Sequence, residues 1–323
     1  MTTGRASPLL LVSTGPAPDH EAPGHPERPD RVAAVLHHLA RLPDLAGLPR
    51  LEPAPADAEL VELAHTPEHV AHVRHLAEHG GGWIDADTYC RPGSYAAALR
   101  SAGAGIAGLE AVLEHRSTHA FSLSRPPGHH ATAGAAMGFC LFNNVAILAR
   151  RARGEGVQRI AVIDIDVHHG NGTEEIFWDD PSVLYTSLHQ WPLYPGTGAA
   201  SARGGASASG LTVNLPIAPG ASGEEWLGHF DKSLLPAVRE FRPELVLVSA
   251  GYDAHAADPL ASLRLTAATY AAAAERVAAL CAERGIGSVW LLEGGYDLEA
   301  LAESVAATLS SLSGSTHPPV RRV

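Results

Sequence analysis

The segment AVIDIDVHHGNGT, residues 161–173, interrupts an apolar run with Asp164, Asp166, His168 and His169. Carboxylates and imidazoles are the side chains that hold metal ions and move protons. Asp166 and His168 stand two apart, so on an extended chain both project to one side. There they supply two of the three protein ligands of a catalytic zinc. Asp253, in SAGYDAHAADPL, is the natural third, with the fourth position open to water or substrate. Asp164 points the same way one pleat deeper, suited to orient a histidine or hold a second ion. His129 and His130 in RPPGHHA offer a general base and a partner. Tyr296 in EGGYD offers a hydroxyl. Taken singly, each has a plainer reading. Asp-x-His makes hydrogen-bonded turns, a histidine pair packs and caps, Asp253 could cap a helix, and Tyr296 could be a half-buried core tyrosine. Together, at successive strand ends, they describe a metal-dependent hydrolase.

The elements that must position these groups are legible from periodicity. Apolar runs at 8–13, 119–124, 159–167, 182–188, 211–217, 244–250 and 288–294 read as strands. Most are continuously apolar, as in a parallel sheet covered on both faces. Helical spacing occupies 30–42, 67–80, 94–115, 142–156, 222–241, 266–285 and 297–312. Ser94 and Ser222 are good N-caps, and Gly154 and Gly285 plausible stops. The alternation predicts a single doubly wound α/β domain with its site at the carboxyl ends of the strands. The polar clusters follow the runs at 119–124, 159–167, 244–250 and 288–294, where they should share one rim. The Gly-, Ala- and Ser-rich stretch 196–210 reads as a surface loop between strands. The catalytic domain is expected over 1–315, with a flexible tail at 316–323.

Composition narrows the class. The 323 residues are 46% apolar, enough for a sizeable core, and carry a net charge of -12. That charge argues against direct nucleic-acid binding, which needs a basic face. Three scattered cysteines fit neither a disulfide framework nor a Cys-rich zinc site. The N-terminal apolar stretch is short for a signal peptide, and no run suits a membrane span. A cytoplasmic protein is expected, with its oligomeric state open.

The motifs HPERPDR (25–31), RPPGHHA (125–131), GFCLFNN (138–144), DIDVHHGNGT (164–173), SLH with YPGTG (187–189, 194–198), SAGYDAHAADPL (249–260) and EGGY (293–296) resemble those of the zinc-dependent histone deacetylase family. That family also contains acetylpolyamine amidohydrolases and acetoin-utilisation proteins. The resemblance implies the arginase/deacetylase fold, a parallel sheet of about eight strands flanked by helices. It implies zinc at Asp166, His168 and Asp253, and His130 as general base and then acid. His129 would be its electrostatic partner, bonded to Asp164, and Tyr296 the polariser of the amide carbonyl. Asn171 would stand beside the base, where class I members carry aspartate and class II-like members asparagine. Phe139 and Tyr194, with Gly138, would wall an acyl-lysine tunnel, and Asp87 would grip the substrate backbone at its rim. One structural potassium is implied at Asp164, Ser187 and the carbonyls of Asp166, His168 and Leu188. A second is implied at the carbonyls of Phe177, Asp180, Val183 and Leu211. The expected substrate is an acylated lysine peptide or a small acylated amine. Leu260 stands where the polyamine-specific member has an acidic gatekeeper, and the segment between His79 and Ser94 is short; both disfavour a polyamine. An arginase-like manganese enzyme would need a further carboxylate where Gly170 stands. A non-catalytic acyl-lysine binder would have lost the tyrosine, a ligand or the histidine pair, and all are present.

Overall fold

The computed structural model describes residues 7–314, so the tail expected at 316–323 lies outside the described residues. The strands, in chain order, are β1 (Ser7–Ser13), β2 (Arg50–Leu51), β3 (Gly82–Trp83), β4 (Tyr89–Cys90), β5 (Ser117–Leu123), β6 (Ile160–Asp164), β7 (Val183–Gln190), β8 (Thr212–Ile217), β9 (Leu245–Ala250) and β10 (Ser288–Leu292). Eight of them form one parallel sheet in the order β2-β1-β5-β10-β9-β6-β7-β8, while β3 and β4 pair as an antiparallel hairpin. All seven strands read from the sequence are present. The eighth, β2, is a two-residue edge strand too short to show a period.

Alternation along each strand divides the core between the two faces. Leu9, Leu11, Phe121, Ile163, Val246, Val248 and Trp290 pack with the helices Asp30–Ala40, Ala267–Arg284 and Leu298–Ser313. Ala120, Ile160, Val162, Leu245, Leu247, Val289 and Leu291 pack on the other face with Ser94–Leu113 and Asn144–Gly154. Helix Ser94–Leu113 is long and apolar enough to cross a membrane by composition alone, but 67% of its apolar window is buried in this packing. Its small residues permit close approach: a Cβ on Gly108 would stand 3.1 Å from that of Ala120.

Local chemistry sets most boundaries. Ser222 caps its helix by accepting from the Glu225 amide (3.2 Å), and Gly285 closes Ala267–Arg284 at φ 67°. Ser94 departs from its expected capping role. Gly93 is the N-cap, and the Ser94 hydroxyl instead accepts from the Arg91 amide (2.7 Å) and meets His20 Nδ1 (2.6 Å). The helix predicted over 222–241 is Gly223–His229, a π turn Phe230–Leu234 and Leu235–Phe241. Pro236, without an N–H, interrupts the regular ladder there. The strand predicted over 159–167 ends at Asp164, for a reason that belongs to the site.

Candidate active site

The four polar clusters follow β5, β10, β9 and β6, which are consecutive neighbours at the centre of the sheet. Register aligns their ends: Asp164 pairs with Ser249, and Leu292 with Ala250. Beyond the Ile165 amide, which still donates to Ser249 (3.0 Å), the backbone leaves the ladder because carboxylates take over as acceptors. The Asp166 amide donates to Asp164 Oδ1 (3.2 Å), Val167 to Asp253 Oδ1 (2.9 Å) and His168 to Asp166 Oδ1 (2.9 Å). Each of these bonds also fixes a side chain of the cluster.

Asp166, His168 and Asp253 converge, with one potential ligand atom from each within 4.8 Å of the others. His168 Nδ1 lies 3.1 Å from both Asp166 Oδ1 and Asp253 Oδ2. Ligands about 2.0–2.2 Å from an ion at tetrahedral angles stand about 3.3–3.6 Å apart, so these separations need open only slightly to admit zinc. The electrostatics also favour a cation, because both carboxylates are wholly buried. Burial and the neighbouring Asp166 push Asp253 up to about 7. Burial opposes charge on His168, yet its bonds to Asp166 and Asp253 raise it to about 10. Three donors of the right type, in a buried pair of negative charges, suit a divalent ion.

Glycines make the convergence possible. A Cβ on Gly294 would overlap Asp253 Oδ2 and lie 2.7 Å from Asp166 Oδ2, whereas its bare amide donates to that same Asp166 oxygen at 2.8 Å. A Cβ on Gly138 would run into the His130 ring, and there φ is also +54°.

The two histidines differ in state. His129 Nδ1 meets Asp164 Oδ2 at 3.0 Å, with Tyr185 donating to the same oxygen at 3.2 Å, and its Nε2 lies 3.8 Å from Asp166 Oδ1. Burial opposes protonation, but Asp164 and Asp166 raise His129 to about 10. His130 Nδ1 meets Asn171 Oδ1 at 2.8 Å. The Asn171 amide nitrogen is engaged by Met137 Sδ and the His130 carbonyl, so its oxygen faces the ring and can only accept. His130 therefore carries hydrogen on Nδ1 and a lone pair on Nε2. Burial and the charges of His129 and His168 hold it well below the ordinary imidazole value. A neutral base thus stands beside a cation. His169 turns away, to Thr197 (2.8 Å) and Glu174 (3.1 Å). His255 accepts from the Ala257 amide (3.1 Å) and is not in the metal cluster.

Aromatic side chains wall the approach. Tyr194, 37% exposed, stands edge-on to His130 (5.1 Å) and near His168 (6.3 Å). Phe139 stands edge-on to Tyr296 (5.7 Å) and His25 (4.6 Å). The Asp87 carbonyl meets His25 Nε2 (2.9 Å), and the neighbouring Thr88 hydroxyl accepts from the Phe139 amide (3.1 Å). This brings Asp87 to the Phe139 wall. Burial and the adjacent Asp85 raise the Asp87 carboxyl. Leu260 is half-buried, its amide donating to Asp258 Oδ1 at 3.0 Å.

Several residues without a sequence-assigned role complete the site. Asp258 Oδ2 accepts from the Tyr296 amide (2.6 Å), and the Arg31 guanidinium lies 4.8 Å from the Tyr296 ring centroid. Arg31 also donates to the carbonyls of Gly295 (2.6 Å) and Glu293 (2.5 Å). Glu27 is wholly buried, with Arg125 Nε at 2.7 Å, Arg125 Nη2 at 2.5 Å and Arg31 Nη1 at 3.3 Å. The motif HPERPDR carried the only signal for Glu27 and Arg31, and apart from their own pairing their partners Arg125, Glu293 and Gly295 lie far along the chain.

At the two expected potassium sites the surroundings differ. Among the described residues no backbone or side-chain donor reaches the carbonyls of Asp166 and His168, while the Ser187 hydroxyl bonds His189 Nδ1 (2.9 Å). At the second, the carbonyls of Phe177, Asp180 and Leu211 accept from the amides of Asp180 (3.1 Å), Val183 (3.3 Å) and Tyr185 (2.9 Å).

Comparison with known proteins follows the same lines. A family model described as histone deacetylase domain matches residues 25–312. A probable deacetylase of Archaeoglobus fulgidus is 40% identical over 298 residues, covering 91% of this chain and 83% of that protein. The human polyamine deacetylase HDAC10 is 40% identical over 309 residues, covering 91% of this chain and 45% of that protein. The crystal structure of the HDA15 HD domain superposes with a TM-score of 0.91 at 34% identity, covering 98% of this chain and 90% of that one.

Proposed function

Because this chain belongs to the histone deacetylase family, and is accordingly a deacetylase acting on amides, we propose that it removes acetyl or related acyl groups from acylated lysine or a similar amine, with zinc held by Asp166, His168 and Asp253. One observation carries the reading: the three ligand atoms cluster beside a histidine whose Nε2 lone pair is free, with the Tyr194 ring against that histidine and the Phe139 ring against Tyr296. A zinc ion with three protein ligands supplies Lewis acidity, bringing the pKa of water toward about 7 and polarising a carbonyl.

The chain's own groups do the rest. His130 Nε2 takes the proton of the attacking water and returns it to the departing amine. Asn171 keeps that nitrogen unprotonated at rest by accepting from Nδ1. The His129 cation, tied to Asp164, offsets negative charge developing nearby. The Tyr296 hydroxyl donates to the carbonyl oxygen as it gains charge, a contribution of about 3–4 kcal/mol for one such donor. Phe139 and Tyr194, with Gly138, line the aliphatic stem of the acylated side chain, and Asp87 receives amide hydrogens of the substrate backbone at the mouth.

Potassium is proposed at Asp164, Ser187 and the carbonyls of Asp166, His168 and Leu188. The two carbonyls without donors support it, since buried carbonyls call for a partner. A second is proposed at the carbonyls of Phe177, Asp180, Val183 and Leu211, each of which has two lone pairs.

A second reading, a small acylated amine as substrate, is favoured by the likeness to the polyamine deacetylase and opposed by the uncharged Leu260. The test is a panel of acylated peptides and acylated small amines assayed with zinc-loaded protein, with and without chelator. Chelator-sensitive release of acetate from a lysine peptide is expected. No turnover of any acylated amine would overturn the proposal.

A further inference from the structure

Glu293 carries a wholly buried carboxylate beside the histidine loop that the scheme above leaves unused. Its Oε2 accepts from two consecutive amides, Gly128 at 2.6 Å and His129 at 3.2 Å, and its Oε1 accepts from the Ser249 hydroxyl at 3.2 Å. The side chain therefore spans from the end of β10 across to the loop after β5, and that loop carries both histidines. Its backbone is pinned as well: the amide donates to Ala250 (3.0 Å) and the carbonyl accepts from Arg31 (2.5 Å). The next amide, Gly294, donates to Asp166 Oδ2 at 2.8 Å. One dipeptide thus holds the histidine loop with its side chain and a metal ligand with its backbone.

We propose that Glu293 is a positioning residue that sets the distance between the His129–His130 pair and the metal ligands. A group held between β10 and the loop after β5 fixes the loop only if its reach is right, because both bonds to it run to backbone amides. Reach with an acceptor at its end, rather than charge, is the operative property. A carboxamide oxygen accepts from two amides as a carboxylate oxygen does, whereas a side chain one methylene shorter cannot span the gap. Misplacing a catalytic group by about 1 Å costs about a hundredfold in rate. Burial, against the opposing charge of His129, raises Glu293 to about 7, so its protonated form, similar in shape to a carboxamide, is within reach near neutral pH.

The inference rests on the deacetylase reading, and the experiment separates the two. Glu293→Gln and Glu293→Asp are compared with the parent protein, all zinc-loaded, on an acetyl-lysine peptide. Positioning predicts that Glu293→Gln keeps kcat within a factor of a few. Glu293→Asp then loses about a hundredfold in kcat, with KM and zinc content unchanged. The far-downfield proton resonance of the His129–Asp164 hydrogen bond gives a readout independent of turnover, and should move in the aspartate variant alone. Should that variant fail to fold, Glu293→Met, of similar length without acceptors, takes its place with the same expectation. Loss in the glutamine variant equal to or greater than that in the aspartate variant would overturn the inference, and so would parental behaviour in both. An inactive parent would instead defeat the deacetylase reading.

Discussion

Replacing Gly294 by alanine gives the sharpest test of the proposed metal centre, because the outcome follows from distances. The new Cβ would lie 2.7 Å from Asp166 Oδ2 and from Asp253 Cγ, and closer still to Asp253 Oδ2. Contacts to a Cβ under about 3.0 Å do not persist in well-packed interiors, where close packing leaves no slack. Asp166 Oδ2 must therefore retreat by a few tenths of an ångström and the Asp253 carboxyl by more. Metal–ligand distances tolerate only about ±0.2 Å. Retreat also lengthens the Gly294 amide bond that orients Asp166, now 2.8 Å. Loss of one such supporting bond weakens metal binding about 10–100-fold, and displacement of two ligands adds to it. Competitive titration of the metal-free protein with zinc in a chelator buffer measures the effect. Gly134→Ala serves as control, since a Cβ there meets nothing within 4 Å. Zinc affinity in Gly294→Ala equal to that of the control would refute the assignment of Asp166 and Asp253 as ligands.

Other perturbations probe separate links. His130→Ala should lower kcat by about 10²–10⁴-fold with zinc content intact, because His130 hydrogen-bonds Asn171 and not a ligand; parental turnover would remove it from the mechanism. Tyr296→Phe keeps the ring against Phe139 and Arg31 but removes the hydroxyl; kcat should fall about a hundredfold or more at unchanged KM. Glu27→Gln leaves the buried guanidinium groups of Arg125 and Arg31 without their carboxylate, a loss of about 3–5 kcal/mol measurable by urea unfolding. Burial alone would raise the Glu27 pKa, but Arg125 and His20 hold it well below its ordinary 4.5. A carboxyl depressed in the folded state stabilises fully above its unfolded value and less as pH falls through it. Parental stability should therefore drop below about pH 4.5 more steeply than that of Glu27→Gln, and parallel pH curves would count against this network.

Sequence alone determined what depends on neighbours along the chain. Continuous apolar runs marked seven strands because a strand covered on both faces needs apolar side chains in both directions. The two-residue spacing of Asp166 and His168 marked a shared side. The same local logic failed where a longer-range partner intervened. Residues 165–167 look like strand by composition, yet of the amides there only that of Ile165 keeps a ladder bond, to Ser249 (3.0 Å), while Asp164, Asp253 and Asp166 take the amides of Asp166, Val167 and His168. Ser94 looks like a cap, yet its hydroxyl is held by Arg91 and His20. Only the tertiary structure decided which distant groups meet. Asp253 lies 85 positions from His168 in the chain, and the two stand 3.1 Å apart because β9 packs directly beside β6. Glu293 reaches the Gly128 amide across 165 positions, and Arg31 the Glu293 carbonyl across 262. Strand order and register fix such meetings, and no periodicity in a single segment encodes them.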